Sequence, residues 1–199
     1  MKNIVIFGAA GRTGHYITQK MLELENVQVS AFVRTPEKLD PQLRNQLRVI
    51  QGDALNPEDV KKAMSGQDIL LCSLEGDVLT MARNIADALP GSGVSRIIWI
   101  TGMGIHGEIT GPRGKMLAIL AKTRPEYIQA ADLIADCPAV TTLLRCPKIE
   151  DGDNTVYYLT PEGIQPRKNS IMRAGIAQCM ADMIEDETLG RNASLGITN

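Results

Sequence analysis

The chain has 199 residues, a formal net charge of −2 and a sequence pI of about 5.7, a size that suits a single domain spanning 1–199. The balance of charge leaves no electrostatic footprint for nucleic acid, and no apolar run approaches the ~18 residues that a membrane helix requires. Four scattered cysteines and two distant histidines make no metal-ligand spacing and no disulfide framework.

Met1-Lys2 leads straight into Asn3-Ile4-Val5-Ile6-Phe7, a continuous apolar β-branched run that predicts a parallel strand buried on both faces. No signal peptide is expected there. Gly8-Ala9-Ala10-Gly11-Arg12-Thr13-Gly14 follows, and His15 to Leu24 then shows apolar positions at helical spacing. Strand, glycine turn and helix together form the layout that holds a dinucleotide pyrophosphate. Gly8 permits the tight exit from the strand, Gly11 lets the backbone approach the phosphates, and Gly14 removes a side chain where helix and strand meet. The anion would rest on free N–H groups of Ala10, Gly11, Arg12 and Thr13, at the positive end of the helix. The spacing is G-x-x-G-x-x-G rather than G-x-G-x-x-G.

Val27 to Val33 predicts the second strand, and it ends at Arg34. A carboxylate at this point, about 20 residues past the glycines, would hold a free ribose 2′-hydroxyl. A guanidinium instead grips a 2′-phosphate through two hydrogen bonds, so Arg34 favours NADP(H) over NAD(H). The alternative is a solvated arginine at a strand end. Arg12 and Lys38 add positive charge nearby. Pro36 to Asn45 reads as a short helix, Leu47 to Gln51 as a third strand, and Asn56-Pro57 as a capped helix start. Asp68 to Ser73 is a fourth strand, Val78 to Leu89 a helix and Ser95 to Thr101 a fifth strand. Pro125 to Ala135 is a helix, Val140 to Arg145 a sixth strand and Ser170 to Ile184 the last helix. Ala193 to Ile197 would be a short edge strand. The alternation predicts a doubly wound α/β domain of the Rossmann type, with a parallel sheet. Two stretches read as irregular, at about 102–114 and 146–168, and in such a sheet they would be substrate-side loops at the carboxyl ends of the strands.

The Asn3-to-Gly14 opening, Val33-Arg34, Gly52-Asp53 and Leu143-Leu144-Arg145-Cys146-Pro147 resemble an atypical short-chain dehydrogenase/reductase. The similarity is to the NmrA-like branch, near the small NAD(P)H-binding reductases that act on biliverdin-IXβ and flavin, and it runs through nearly the whole chain. The resemblance implies that Asp53 and Ala54 meet the adenine, and that Ser73, Leu74 and Glu75 border the ribose and pyrophosphate. It places Thr101, Gly102 and Met103, with Cys146 and Pro147, around the nicotinamide. Asp53 also reads as the cap of a turn.

The departures from the superfamily pattern are as informative. Ordinary members carry a Ser and a Tyr-x-x-x-Lys pair whose tyrosine delivers a proton while the cofactor delivers hydride. Here Gly102 stands at the Ser place, and four residues past Tyr127 stands Ala131. Tyr127 therefore reads as a packing residue. The remaining proton-handling candidates are Thr101, His106 and Lys148, each with an ordinary surface or structural alternative. Met103, Ile105, Met116 and Ile119 suggest an apolar pocket flank. A conjugated acceptor needs mainly proximity to the cofactor, with solvent as proton source. The sequence thus suggests an NADPH-dependent reductase of a small flavin-, quinone- or tetrapyrrole-like molecule, in the cytoplasm. A non-catalytic NADP(H) sensor of the NmrA type and a nucleotide-sugar epimerase or dehydratase are the alternatives.

Overall fold

The computed structural model describes residues 1–199. Its strands are β1 (Lys2–Phe7), β2 (Val27–Val33), β3 (Arg48–Gln51), β4 (Ile69–Cys72), β5 (Arg96–Gly102), β6 (Val140–Cys146), β7 (Lys148–Glu150), β8 (Tyr158–Pro161), β9 (Ser170–Met172) and β10 (Ala193–Thr198). The helices are α1 (Arg12–Leu22), α2 (Pro41–Arg44), α3 (Pro57–Met64), α4 (Val78–Ala88), α5 (Gly111–Lys122), α6 (Pro125–Ala135) and α7 (Arg173–Glu185). Eight strands form one sheet in the order β3-β2-β1-β4-β5-β6-β10-β8, parallel except for the β10–β8 pair. The chain runs outward from β1 through β2 to β3, then returns to β4 on the other side. That reversal opens a crevice between the carboxyl ends of β1 and β4.

The strand run that reads as doubly buried is doubly buried. Ile4 and Ile6 of β1 join Ile17 and Met21 of α1 and Ile176 and Met180 of α7 on one face. Val5 and Phe7 join Val60 of α3, Ile85 of α4 and Ile134 of α6 on the other. The two-residue period of the strand distributes consecutive apolar side chains to two cores. Each fully buried aliphatic side chain contributes about 1.5–3 kcal/mol relative to exposure. Asn56 caps α3 by accepting from the N–H of Glu58 at 3.0 Å, with Pro57 in the first turn, as its sequence implies.

Five local expectations are corrected. The stretch 36–45 divides into a 3-10 turn at Pro36–Lys38 and the short α2, because Asp40 accepts from Gln42 N–H and restarts the helix at Pro41. The region read as irregular after β5 contains the start of α5. Gly111, Pro112 and Gly114 disguise that start, and Met116, Ile119 and Leu120 of the helix remain exposed. The second irregular region contains β7 and β8, and the last helix gives up residues 170–172 to β9, which pairs in parallel with β7. Finally, β10 is not an edge strand. It lies between β6 and β8, and the antiparallel β8 closes the sheet beyond it.

A buried ion pair fixes the chain after β5. Glu108 and Arg145 side chains are each 2% exposed and bonded to one another. The Glu108 carboxylate also accepts from the N–H of Gly104 at 2.7 Å and of His106 at 3.1 Å. Arg145 donates from Nε to Ser194 Oγ at 2.9 Å and from Nη2 to Ser194 O at 3.3 Å. One carboxylate therefore folds the 104–108 loop around itself and ties it to β6 and β10. Burial alone would push the Glu108 carboxyl up. The backbone N–H groups and the Arg145 guanidinium outweigh burial and hold it below the ordinary carboxylate range.

A folded-state pKa below the unfolded value gives stability that is present above the ordinary carboxylate range and is lost as pH falls through the depressed value. Glu108→Gln leaves Arg145 buried without its counter-ion and is expected to cost about 3–5 kcal/mol near neutrality. Urea denaturation from about pH 7 down to about pH 3 should show the wild-type advantage shrinking in acid. A gap that stays constant across this range would contradict the assignment.

Candidate functional site

The glycine turn is built by contacts that no side chain would allow. Gly8 has φ +87°, and a Cβ there would lie 2.1 Å from Ser73 O, at the end of β4. A Cβ on Gly14 would lie 2.0 Å from Gly8 O. At Gly11 the φ is an ordinary −78° and the added Cβ would stand 3.2 Å from Gly8 O. Gly8 and Gly14 are therefore demanded by packing, whereas at Gly11 the packing is only tight. Gly11 N–H donates to Gly8 O at 2.9 Å and His15 N–H to Gly11 O at 2.8 Å. The N–H groups of Arg12, Thr13 and Gly14 have no backbone acceptor. No side chain caps α1, and no acid stands in its first turn. The helix thus presents uncompensated donors and the positive end of its dipole.

These donors open onto a crevice of about 480 Å³. Gly8, Ala10, Gly11, Arg12 and Thr13 form its floor. Arg34, Asp53 and Ala54 form one end, where β2 and β3 finish, and Ser73, Leu74 and Glu75 follow β4. Of the sequence-derived phosphate, ribose and adenine set, only Gly14 stays out of the lining, packed behind the floor as its contact with Gly8 requires.

The Arg34 side chain is 70% exposed, and its Nη1 stands 4.0 Å from Asp53 Oδ2, beyond hydrogen-bond reach. Its donors are free to meet an anion. Asp53 caps a turn at the same end of the crevice. Oδ1 accepts from Leu55 N–H at 3.0 Å and caps the turn, while the residue also lines the crevice. Behind it, Asp59 Oδ2 accepts from Asp53 N–H at 3.0 Å, and Asn84 of α4 donates to Ala54 O at 2.9 Å. That end of the crevice is therefore tied to α3 and α4.

The nicotinamide-side set is placed differently. Thr101, Gly102, Met103, Cys146 and Pro147 lie together at the carboxyl ends of β5 and β6, with Met103 N–H donating to Cys146 O at 2.9 Å. None of the five lines the crevice. Thr101 is buried and its hydroxyl has no partner. Burial pushes the Cys146 thiol up to about 12, which leaves it inert as a nucleophile. The pocket flank expected from Met103, Ile105, Met116 and Ile119 is not one surface, because the first two are buried and the last two are more than half exposed.

The proton-handling candidates also stand away from the crevice. His106 is clasped between two carboxylates, with Nδ1 2.9 Å from Glu162 Oε1 and Nε2 2.9 Å from Asp132 Oδ1. Lys148 is exposed and bonded to Glu150 at 2.7 Å, a contact that raises its pKa, and it does not line the crevice. Tyr127 is half-buried against the α4–α6 side, with the Arg124 guanidinium 5.8 Å above its ring. The walls of the crevice contain no tyrosine, histidine or cysteine.

Sequence reasoning missed the wall opposite the glycine turn, formed by Ile149 of β7 and Arg173 at the first turn of α7. It also missed Phe32, Val33 and Thr35 around Arg34, and Met81 of α4. The neighbours of Arg34 were within reach, since residues flanking a ribose-contacting position share its strand end. Ile149 and Arg173 carry no such local signal, because strands of three residues have no readable period.

A dinucleotide fits this site, as the glycine cradle, the free donors of α1 and the open guanidinium of Arg34 show. A family model described as NAD(P)H-binding matches residues 8–187. Among solved structures, a Rossmann-fold NAD(P)-binding family protein from Shigella flexneri is similar at TM-score 0.84 and 26% identity, covering 100% of this chain and 94% of that one. A short-chain dehydrogenase/reductase from Veillonella parvula, solved in complex with NADP, is similar at TM-score 0.84 and 23% identity, with the same coverage. The anaerobillin reductase ChuY from Escherichia coli O157:H7 is similar at TM-score 0.79 and 20% identity, covering 99% of this chain and 97% of that one. With a glycine turn, crevice and sheet order that agree with a family match over nearly its whole length, the chain belongs to the NAD(P)H-binding family of Rossmann-fold proteins.

Proposed function

We propose that the protein is an NADPH-dependent cytoplasmic reductase that passes hydride to a small conjugated acceptor such as a flavin, a quinone or a linear tetrapyrrole. The observation that carries the cofactor preference is the free guanidinium of Arg34 at the ribose end of the crevice, with Thr35 and Lys38 beside it. The NADP complex of the Veillonella parvula relative and the reductase name of the Escherichia coli relative support the reading. So does the likeness of the sequence to NmrA-like members of the short-chain dehydrogenase/reductase superfamily.

When bound, a reduced nicotinamide supplies the hydride. The chain's own contribution is binding and orientation. The α1 N-terminus and Arg12 hold phosphate oxygens, Arg34 and Lys38 hold the 2′-phosphate, and Asp53 and Ala54 flank the base. The superfamily's Tyr-x-x-x-Lys pair is absent, with Ala131 four residues past Tyr127, so no tyrosine acid of that kind is supplied. An acceptor that delocalises the incoming charge and takes its proton from water suits such a site. An unconjugated ketone, which needs a proton in the transition state, does not.

A charge-assisted hydrogen bond contributes roughly 1.5–3 kcal/mol. The exposure of Arg34 places it at the lower end, about tenfold in affinity. Arg34→Asp is expected to weaken NADPH binding by about tenfold or more in calorimetry and to change NADH binding little. Tighter binding of NADH than NADPH by the wild type would overturn the cofactor preference.

Turnover with a panel of flavins, quinones and tetrapyrroles tests the reaction. Tyr127→Phe and His106→Ala should each leave kcat within a few-fold, whereas loss of a true general acid usually costs 10²–10⁴-fold. A thousandfold loss in either variant, with fold and NADPH binding intact, would relocate the active site. Firm NADPH binding without turnover of any acceptor would instead favour a cofactor-sensing protein.

A further inference from the structure

Arg173 is the least expected member of the crevice wall. It opens α7, its side chain is only 5% exposed, and it faces the same space as Gly11, Arg12 and Thr13. A guanidinium carries five N–H donors. Here a single bond is made, from Nη1 to Asp151 Oδ1 at 2.5 Å, and Nε is buried with no partner. A buried, largely unpartnered guanidinium is costly unless something else satisfies it. Asp151 is a poor permanent partner, because its own side chain is 70% exposed and open to water.

The pairing of β7 with β9 explains why the two residues meet. The register ends with Glu150 beside Met172, so the next step along each strand sets Asp151 beside Arg173. On its other side Asp151 borders a groove shared with Arg12 and Lys38. Asp151 thus stands near three cations, Arg12, Lys38 and Arg173, at the mouth of the phosphate floor, and Asp40 is the other carboxylate of the groove.

We propose that Arg173 is a dinucleotide-binding residue that donates to the pyrophosphate from the wall opposite α1, and that Asp151 is the stand-in anion that holds it in the free protein. Ligand phosphate oxygens take over the guanidinium, and Asp151 swings out to solvent. The donors of α1 and Arg173 then hold the pyrophosphate from two sides. This contact is independent of the 2′-phosphate, so Arg173 strengthens NADPH and NADH alike, whereas Arg34 separates them. The inference rests on the crevice being a dinucleotide site.

Calorimetry with NADPH and NADH on four proteins tests it: the wild type, Arg173→Met, Asp151→Asn and the double variant. Arg173→Met is expected to weaken both ligands by about tenfold or more, with their ratio unchanged. Asp151→Asn should tighten both by a few-fold, because the competing anion is gone, and should have no effect in the Arg173→Met background. Thermal melting of each variant establishes that it is folded. The Asp151 arm, at an exposed residue, keeps the test decisive if Arg173→Met does not fold. Unchanged affinity in folded Arg173→Met, a change in the NADPH-to-NADH ratio, or weaker binding in Asp151→Asn would each overturn the proposal. Wild-type protein that binds neither dinucleotide would overturn the functional reading itself.

Discussion

Three backbones converge where β1 leaves the sheet, and most of what the molecule can do follows from how close they come. Gly8 O, the end of β4 at Ser73 and the first turn of α1 at Gly14 lie so near one another that an added methyl at Gly8 or Gly14 would sit within about 2 Å of a carbonyl oxygen. Ser73 N–H donates to Phe7 O at 3.0 Å and locks the two strand ends together. This contact aims the α1 N-terminus into the gap left by the reversal of strand order. The dipole and the unsatisfied N–H groups then do electrostatic work without any charged side chain at the helix cap.

Charge in the crevice departs from charge in the chain. The protein as a whole carries −2. The crevice walls hold Arg12, Arg34, Lys38 and Arg173 against Asp53 and Glu75. A concave site with excess positive charge and low-dielectric walls concentrates anions and speeds their arrival. The cations come from α1, the β2 end, the turn after it and α7. Their sequence positions range from 12 to 173, and only the sheet order brings them together.

Farther along the sheet, rigidity takes the place of exposed charge. The Glu108–Arg145 pair is enclosed, but both partners are also hydrogen-bonded to the Gly104–His106 backbone or to Ser194. A buried pair satisfied on all sides fixes geometry and costs little beyond its desolvation. It gives the loop after β5 one shape, and that shape draws His106 into the Asp132–Glu162 clasp. The Tyr-Lys pair is absent from the chain, and the clasp holds His106 outside the crevice lining.

Much of this was legible in the chain itself. A strand buried on both faces must be apolar at every position, so Ile4 to Phe7 declared β1, and the alternation of such runs with helical periods declared the parallel sheet. The glycine turn and Arg34 pointed to the floor and one end of the crevice, because both lie within one βαβ unit whose backbone shape and charge are set by near neighbours. What stayed hidden depends on pairing over long distances. Three-residue strands such as β7 and β9 have no period of their own, and they exist because each completes the hydrogen bonds of the other. Only the tertiary structure could set Arg173 beside Asp151 and across from Gly11, place β10 inside the sheet, and pair Lys148 with Glu150. Local sequence fixes what a backbone segment can do by itself. Where a side chain stands relative to one a hundred residues away is decided by the packing of the sheet.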